Sequence, residues 1–421
     1  MQEYEAVATV EALRSGVASR HLAAIFSYGR EALLEQVERD LEGVAGDGRP
    51  RVLLLRGNFG EGKTHFLNLI FNRAQELNFA VSFVVLSKET PFNRLDRVYP
   101  KVVAGTYLPH LAEPGVEGLV RDLRPDDPTT EELLVFAGKE LHPKIYYVLR
   151  NYLESGDTYQ QHLLYSDLAG EWMPVGRLKS LHKLNFGRPA RIGRFKPQTD
   201  AWDYFRLLAQ LIKMRGLAGW VILFDEFELV GTLGVAARAE AYVNLARFLF
   251  PQGAAGLHLT YAVFGIASRL WSERLVPERR RRPDAEEVQA RLRAKGEHGK
   301  AEQARRAINA LLQNAVSLEP LPNSEVQRML AAVVDLHARA YGWQPDVDVE
   351  ELFAATRLAR LRTKIRYAVE YLDLKYLYGE EPVVRTGMLE EMPLEEVAAA
   401  EETEFPADGP VMGDGIGTEP E

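Results

Sequence analysis

The feature that most constrains the fold is a glycine-rich segment between an apolar run and an amphipathic one. The apolar run is Arg51–Arg56, the glycine-rich segment is Gly57–Thr64, and apolar side chains recur at helical spacing from Thr64 to Gln75. This order predicts a buried strand, a tight loop and a helix. Further buried strands are predicted at Ala80–Leu86, Gly219–Asp225, Leu257–Ile266 and Val316–Leu318. Because helical segments separate these strands, the sequence predicts an α/β fold with a central parallel five-stranded sheet flanked by helices.

The composition is that of a globular protein with two or three domains, since the 421 residues are 46% hydrophobic and 26% charged. The chain has no cysteine, which excludes disulfides and thiolate metal sites. Its first residues lack a basic region followed by an apolar stretch, and no apolar run approaches the roughly 20 residues that a membrane helix needs. We therefore expect a cytoplasmic protein that is neither exported nor membrane-spanning.

The negative net charge comes from one end of the chain. The chain carries −9, but residues 380–421 contain thirteen acidic residues against the single Arg385 and carry −12, which leaves +3 on residues 1–379. A mildly basic body permits a nucleic-acid partner, whereas an acidic segment of this kind is typical of a solvated, disordered tail.

The segment from Gly57 to Thr64 fits the pattern G-x-x-x-x-G-K-[ST] and lies between a predicted strand and a predicted helix, as a phosphate-binding loop requires. Its glycines let main-chain N–H groups surround phosphate oxygens at the helix N-terminus. Lys63 is predicted to reach the β and γ phosphates of a nucleoside triphosphate, and the Thr64 hydroxyl to ligate Mg²⁺. The alternative is a glycine-rich turn without a ligand. The predicted nucleotide-binding residues are Gly57, Asn58, Phe59, Gly60, Glu61, Gly62, Lys63, Thr64 and His65.

Two acidic residues stand at the end of the predicted strand Gly219–Asp225. An acid at the carboxyl end of a buried parallel strand lies beside the phosphate loop, at the switch point of the sheet. We predict that Asp225 holds Mg²⁺, directly or through water, and that Glu226 orients and deprotonates the attacking water. The alternative for the pair is a capped strand end. Glu228 could join the site, although solvation of its side chain is slightly favoured.

Two further catalytic candidates lie later in the chain. Ser268 follows the strand Leu257–Ile266, where AAA+ ATPases place a polar residue that contacts the γ-phosphate or the water. The alternative for Ser268 is a helix N-cap. Arg362 belongs to a cluster of cations on one predicted helix, from which a cation could reach the phosphates, and the alternative is a solvated helix face.

The densest basic stretch identified in the sequence runs from Glu278 to Arg306. It could supply an arginine finger to a neighbouring subunit, or contact nucleic-acid phosphates. Interspersed acidic residues favour a charged helical surface instead. Arg238 and Arg247 are rival finger candidates. The histidines show no spacing typical of a zinc site.

The patterns divide the chain into four predicted parts. Residues 1–50 form an N-terminal helical segment, and residues 51–320 form a P-loop ATPase core with a helical insertion at 104–194. Residues 321–378 form an all-helical module at the position of the lid domain in AAA+ ATPases, and residues 379–421 form the acidic, disordered tail.

Several stretches outside the phosphate loop make a family resemblance more specific than that of a generic ATPase. The chain resembles the ATP-binding protein family of the bacterial BREX phage-exclusion systems, especially its BrxD members, over most of its length up to Leu377. The segments that carry the resemblance are Ala12–Val17, Gly29–Arg30, Gly57–Phe66, Tyr165–Gly170, Asp200–Tyr204 and Gly219–Glu228.

That family is similar to the origin-recognition and Cdc6-like branch of AAA+ proteins. The resemblance implies ATP as the ligand, a helical lid, assembly into a homo-oligomer, and ATP hydrolysis in concert with DNA and a partner helicase in defence against phage. Origin-recognition proteins carry a winged-helix domain after the lid, whereas an acidic tail follows here, so the insertion at 104–194 becomes the partner-contacting candidate. The alternatives are a nucleotide-gated scaffold with little or no turnover, and a signalling ATPase that senses a phage component.

Overall fold

The computed structural model describes residues 3–251, 253–277 and 282–379. The predicted acidic tail from residue 380 onward, and residues 278–281 of the predicted basic stretch, therefore lie outside the described residues. The described chain is an α/β protein with one sheet between layers of helices.

Within the described residues the sheet has six strands, in the order β3-β2-β4-β5-β1-β6. The strands are β1 Arg51–Gly57, β2 Phe79–Val85, β3 Thr106–Tyr107, β4 Gly219–Asp225, β5 Thr260–Ala267 and β6 Val316–Ser317. Neighbouring strands are parallel except that β3 runs antiparallel to β2. The predicted parallel five-stranded sheet is therefore wrong in the number of strands. β3 lies in the segment predicted to be purely helical, and its two residues are too few to show an apolar alternation.

Helices fill the connections between the strands, as parallel pairing requires. The helices are α1 Glu3–Ser15, α2 Arg20–Ile25, α3 Glu31–Asp47, α4 Lys63–Glu76, α5 Leu95–Ala104, α6 Glu117–Arg121, α7 Pro128–Glu140, α8 Pro143–Glu154, α9 Thr158–Leu168, α10 Val175–Phe186, α11 Pro197–Met214, α12 Val235–Leu249, α13 Asp284–Ala294, α14 His298–Asn314, α15 Asn323–Tyr341, α16 Val349–Ala355 and α17 Leu361–Tyr378. Among the described residues, no helix combines the length and the apolar character that crossing a bilayer demands.

Apolar side chains alternate along the strands between the two faces of the sheet. On β4, Val221 and Leu223 pack in the layer of α3 and α4, whereas Ile222 and Phe224 pack in the larger layer that contains α5, α11, α12 and α14. All seven residues of β4 are buried, because both faces are covered. Asp225, the last of them, is thus held at the carboxyl edge of a rigid central strand.

The helices α6 to α10 are fixed to the sheet layer by a buried polar cluster around Asp167 of α9. Its carboxylate accepts hydrogen bonds from the Tyr204 hydroxyl of α11 and from the Met173 amide, both at 2.7 Å, and forms an ion pair with Lys144 of α8. The Lys144 and Asp167 side chains are fully buried. Because a buried charge is stable only when it is paired and hydrogen-bonded, this cluster holds these helices in one position.

The N-terminal helix α1 packs with α15 and α17, near the other end of the sequence. Arg14 donates to both carboxylate oxygens of Asp373, at 2.8 and 2.7 Å. The indole N–H of Trp343 donates to Nδ1 of His337 at 2.9 Å, so Nε2 of His337 carries the proton and donates to Asp373 at 3.0 Å. These contacts place the residues that follow α1 beside the phosphate loop.

Candidate functional site

The glycine-rich loop between β1 and α4 adopts a conformation that its glycines permit. Gly60 and Gly62 have φ angles of 79° and 93°, in the left-handed region that side chains other than hydrogen disfavour. Gly62 is the N-cap of α4, so the free N–H groups of the first helical turn point toward the loop. The side chain of Lys63 is buried, and its Nζ donates to the Asn58 carbonyl at 3.2 Å across the loop. This arrangement has the donors that a chain of phosphates needs.

The loop is also held from outside by a cation of the N-terminal segment. The guanidinium of Arg30 donates to the carbonyl of Glu61 at 3.3 Å and to the carbonyl of Glu319 at 2.7 Å. Arg30 therefore joins the phosphate loop to the segment that follows β6.

The two predicted Mg²⁺ ligands are in contact. The Thr64 hydroxyl at the start of α4 donates to Oδ2 of Asp225 at 2.6 Å. Asp225 ends β4, and β5 lies between β4 and β1, the strand that leads into the phosphate loop. Burial raises the pKa of Asp225 above its usual range, against the hydrogen bond from Thr64 that lowers it. A hydroxyl beside a carboxylate is a donor set that suits Mg²⁺, which prefers oxygen ligands. These residues could hold the ion.

Glu226 follows β4 and lines the same pocket as Lys63 and Thr64. Its φ of 60° is in the left-handed region, which is uncommon for a residue with a side chain and is found at functional sites. Burial, together with the charge of Glu228 and a hydrogen bond that the protonated Glu226 carboxyl donates to that residue, raises the pKa of Glu226 to about 7. A buried carboxylate of this kind has the proton affinity of a general base.

Glu228 is not solvated, so that prediction was wrong. Its side chain is 1% exposed, Oε2 accepts a hydrogen bond from the Ala267 amide at 2.9 Å, and Oε1 lies 3.6 Å from a guanidinium nitrogen of Arg269. The short helix Phe227–Thr232 turns this side chain back toward β5. Sequence spacing does not reveal this, because the direction of the turn after β4 decides it.

Ser268 lies where β5 ends and is joined to the start of the phosphate loop. Its amide donates to the Gly57 carbonyl at 3.0 Å, and its own carbonyl accepts from the Trp271 amide at 3.0 Å. The residue is half-buried at the carboxyl edge of the sheet. The structure thus brings Ser268 to the loop through its main chain.

Arg362 lies at the beginning of α17, in contact with the loop. Its amide donates to the Gly60 carbonyl at 3.2 Å, its guanidinium carbon is 5.3 Å from the centre of the Phe59 ring, and its side chain is half-buried. The neighbouring Arg360 donates to the Phe59 carbonyl at 3.1 Å. The beginning of α17 is therefore docked on the phosphate loop.

An apolar pocket continues from the phosphate loop, and no sequence pattern indicates it. Beside Lys63, Thr64 and Glu226, its lining consists of side chains from the two ends of the chain. These include Leu13, Val17, Leu22, Phe26, Met329, Leu361 and Ile365. The segment Ala12–Val17 carried only a family resemblance in the sequence, and no spacing rule connects it to the loop.

His65, predicted to contact the nucleotide, is in contact with this N-terminal segment. Burial lowers the pKa of His65, so the ring is neutral, and its Nε2 is hydrogen-bonded to the Phe26 carbonyl. His65 also lines the pocket. Its side chain thus fixes α4 to the segment that follows α2.

The arginine-finger candidates separate into groups with different surroundings. Arg238 is buried and bound to Asp284 at 3.0 Å and Glu287 at 2.7 Å, so it cannot reach a neighbouring subunit and this candidate was wrong. Arg247 is half-buried with its guanidinium 5.7 Å from the Trp202 ring. Arg305 is paired with Glu302 at 2.5 Å.

Comparison with known proteins agrees with this geometry. The profile of the BREX system ATP-binding protein BrxC/D family matches residues 1–115 and 188–369, which include the phosphate loop, β4 with Glu226, and the beginning of α17. The unmatched residues 116–187 contain all of α6 to α10. No curated protein gives a significant match to the chain. On the extent of the profile match, the chain belongs to the BREX system ATP-binding protein BrxC/D family.

Proposed function

We propose that this protein hydrolyses ATP with Mg²⁺ as an AAA+ ATPase, beyond the ATP binding that its family membership establishes. The observation that carries the proposal is the convergence of Lys63, Thr64 and Glu226 on one pocket, with Asp225 joined to them by the hydrogen bond that it accepts from the Thr64 hydroxyl at 2.6 Å. Each of these groups has the chemistry that phosphoryl transfer to water uses.

The residues act at separate atoms of the reaction. The N–H groups at the start of α4 and the Lys63 ammonium bind phosphate oxygens, while Thr64 and Asp225 would hold the ion. Bound Mg²⁺ would neutralise charge on the β and γ phosphates. Glu226 orients a water molecule and takes its proton as the water oxygen bonds to the γ-phosphorus. The bond from that phosphorus to the bridging oxygen breaks, giving ADP and inorganic phosphate.

The adenine base and the phosphates of ATP would contact different parts of the chain. The apolar pocket beside the loop suits a purine, since its lining includes Val17, Phe26 and Ile365. The helices α15 to α17, together with α1, would then act as a lid that closes on the nucleotide, with Arg362 near the phosphates.

The partners belong to the same proposal. The family resemblance supports a role in which a homo-oligomer acts with DNA and a helicase in defence against phage, and an arginine finger would reach the γ-phosphate of the neighbouring subunit. The second candidate function is a nucleotide-gated scaffold that binds ATP, closes its lid and recruits a partner with little or no turnover. The docking of α17 on the loop favours it, because this contact gives the lid a direct response to nucleotide.

The test is steady-state ATP hydrolysis by wild type, Lys63→Ala and Glu226→Gln, each with and without DNA, with the oligomer mass recorded in the same samples. The hydrolytic proposal expects turnover that both substitutions abolish and that DNA stimulates. Tight ATP binding without turnover under any condition would favour the scaffold.

A further inference from the structure

A strongly basic segment follows α9 and does not belong to the nucleotide site. Between Glu171 and Asp200 the chain has no acidic residue, yet it carries seven cations. All seven are exposed: Arg177, Lys179, Lys183, Arg188, Arg191, Arg194 and Lys196. We call α10 and the loop 187–196 that follows it the α10 basic surface.

The charge of the body is concentrated in this segment. Residues 1–379 carry +3, so without the +7 of residues 172–199 the rest of the body carries −4. The basic stretch near α13 contains interspersed acidic residues, and Arg305 there is paired with Glu302. A concentrated positive charge on an otherwise slightly negative body is the electrostatic footprint of a polyanion site.

The loop presents its cations from a fixed backbone. Ala190 and Ile192 are buried, and the Arg191 amide donates to the Tyr147 hydroxyl of α8 at 3.0 Å. Arg188, Arg191 and Arg194 recur every third residue, a separation of up to about 10 Å in an extended chain. Duplex DNA carries one charge per roughly 1.7 Å of its axis, so each of these cations can meet a phosphate.

The helix α10 contributes cations on the side away from its packing surface. Leu178 and His182 are buried against the inserted helices, and His182 contacts Asn151 of α8 at 3.1 Å, whereas Lys179 and Lys183 face solvent. Leu184 is exposed, but a single leucine is not the continuous apolar face that binding to a membrane surface would use.

One more cation is added from α8. The guanidinium of Arg150 lies 5.4 Å from the centre of the Phe186 ring at the end of α10, and the charges of Arg150 and Arg188 both act on His182. The surface therefore joins the exposed side of α10, its loop and the neighbouring α8.

We propose that the α10 basic surface binds the phosphodiester backbone of duplex DNA. The surface offers arginine and lysine side chains, which neutralise phosphates without reading sequence. The proposal rests on the DNA partner in the proposed function and is independent of ATP hydrolysis. All of α10 lies in the segment 116–187 that the family profile leaves unmatched, whereas the cations of the loop lie in matched residues, so the surface spans the boundary between the two.

The test uses the full chain and the loop variant Arg188→Ala, Arg191→Ala, Arg194→Ala. Binding to a fluorescein-labelled 30-base-pair duplex is followed by anisotropy between 50 and 300 mM KCl. If each arginine contacts one phosphate, the slope of log K against log salt falls in magnitude by about 2.7, and affinity at 0.1 M salt falls on the order of 100-fold. The matched lysine variant at the same three positions keeps the charge and is expected to bind nearly as tightly as wild type.

The matched control removes three exposed cations elsewhere, with Arg291→Ala, Arg293→Ala and Lys295→Ala at the end of α13. It is expected to leave affinity and slope unchanged. Should the loop variant fail to fold, Lys179→Ala with Lys183→Ala on the solvent side of α10 tests the same surface. A loop variant that binds DNA as wild type does, or a larger loss in the α13 control, would overturn the proposal.

Two further measurements separate this proposal from the proposed ATPase. ATP hydrolysis without DNA, recorded on the same loop variant, is expected to equal that of wild type, because the loop does not line the nucleotide pocket. If the protein does not hydrolyse ATP but its DNA binding still depends on the loop, the proposed ATPase activity is rejected and the DNA-binding proposal stands. Poly-glutamate and unlabelled duplex are also compared, at matched charge, as competitors of the labelled duplex. If poly-glutamate competes equally well, the surface binds an acidic protein instead, and the proposal is overturned.

Discussion

Substitution of Gly265 by alanine should disturb Thr64 and Asp225, the two residues proposed to hold Mg²⁺, without removing either side chain. Gly265 lies on β5, between the strands that carry the phosphate loop and Asp225. A Cβ atom at this position would lie 2.9 Å from Oδ1 of Asp225 and 3.2 Å from Cδ1 of Leu67, whereas ordinary contacts begin at 3.4 Å. The carboxylate must therefore move by about 0.5 Å, while its other oxygen is bound to Thr64 at 2.6 Å.

The magnitude follows from this displacement. Because a misplacement of about 1 Å can cost on the order of 100-fold in rate, a movement half as large is expected to lower kcat/KM for ATP about tenfold, or about 1.4 kcal/mol. The Mg²⁺ concentration for half-maximal rate should rise at the same time. Overpacking should cost about 1 to 3 kcal/mol of folding free energy, which lowers the thermal unfolding midpoint.

The assay is ATP hydrolysis as a function of ATP and of Mg²⁺, with Gly46→Ala as the matched control. Gly46 lies in α3, and a methyl group added there would meet no heavy atom within 4 Å, so alanine should stabilise the helix by about 0.5 to 1 kcal/mol and leave hydrolysis unchanged. A Gly265→Ala protein with wild-type kcat/KM and wild-type Mg²⁺ dependence would refute the assignment of Asp225 to the ion.

Two other predictions concern buried charges. Glu228→Ala should destabilise the fold by about 3 kcal/mol, because it leaves Arg269 and the Ala267 amide without this carboxylate. Glu228→Gln keeps a hydrogen-bond acceptor and should cost less. Thermal unfolding midpoints that fall equally in the two variants would contradict this prediction. Burial would raise the pKa of Asp373, but hydrogen bonds from His337 and Arg14 lower it below its usual range. Its stabilising effect is therefore complete above the unfolded pKa of about 3.9 and is lost as the pH falls through the lower folded value, so wild type should lose more stability between pH 5 and pH 3 than Asp373→Asn. Unfolding midpoints that fall in parallel for the two proteins would show that this carboxylate is not responsible.

The phosphate loop and the end of β4 were accessible from the sequence because local rules specify them. The order of strand, glycines and helix fixes the loop, and an acid that ends a fully buried strand must lie at the edge of the sheet. The structure brings Thr64 and Asp225 together although they are 161 positions apart in the sequence. The rule that parallel strands end at the same edge of the sheet, together with the loop motif, is therefore enough to predict that these two residues lie close together.

The remainder depends on tertiary packing that spacing does not encode. The apolar pocket combines α1 with α17, which the sequence places at opposite ends of the described chain. Glu228 and Arg238 were assigned to solvent or to a neighbouring subunit by charge alone, yet both side chains turn inward to pair with partners at distant positions. β3 was missed because two residues give no periodicity.

The most direct test is a comparison of ATP binding and single-turnover hydrolysis in Glu226→Gln with those of wild type. Fluorescent ATP titration should give similar affinities, because Thr64, Asp225 and Lys63 are unchanged, while the single-turnover rate should fall at least about 100-fold through loss of the general base. Wild-type hydrolysis by Glu226→Gln would contradict the assignment of Glu226 as the residue that activates water.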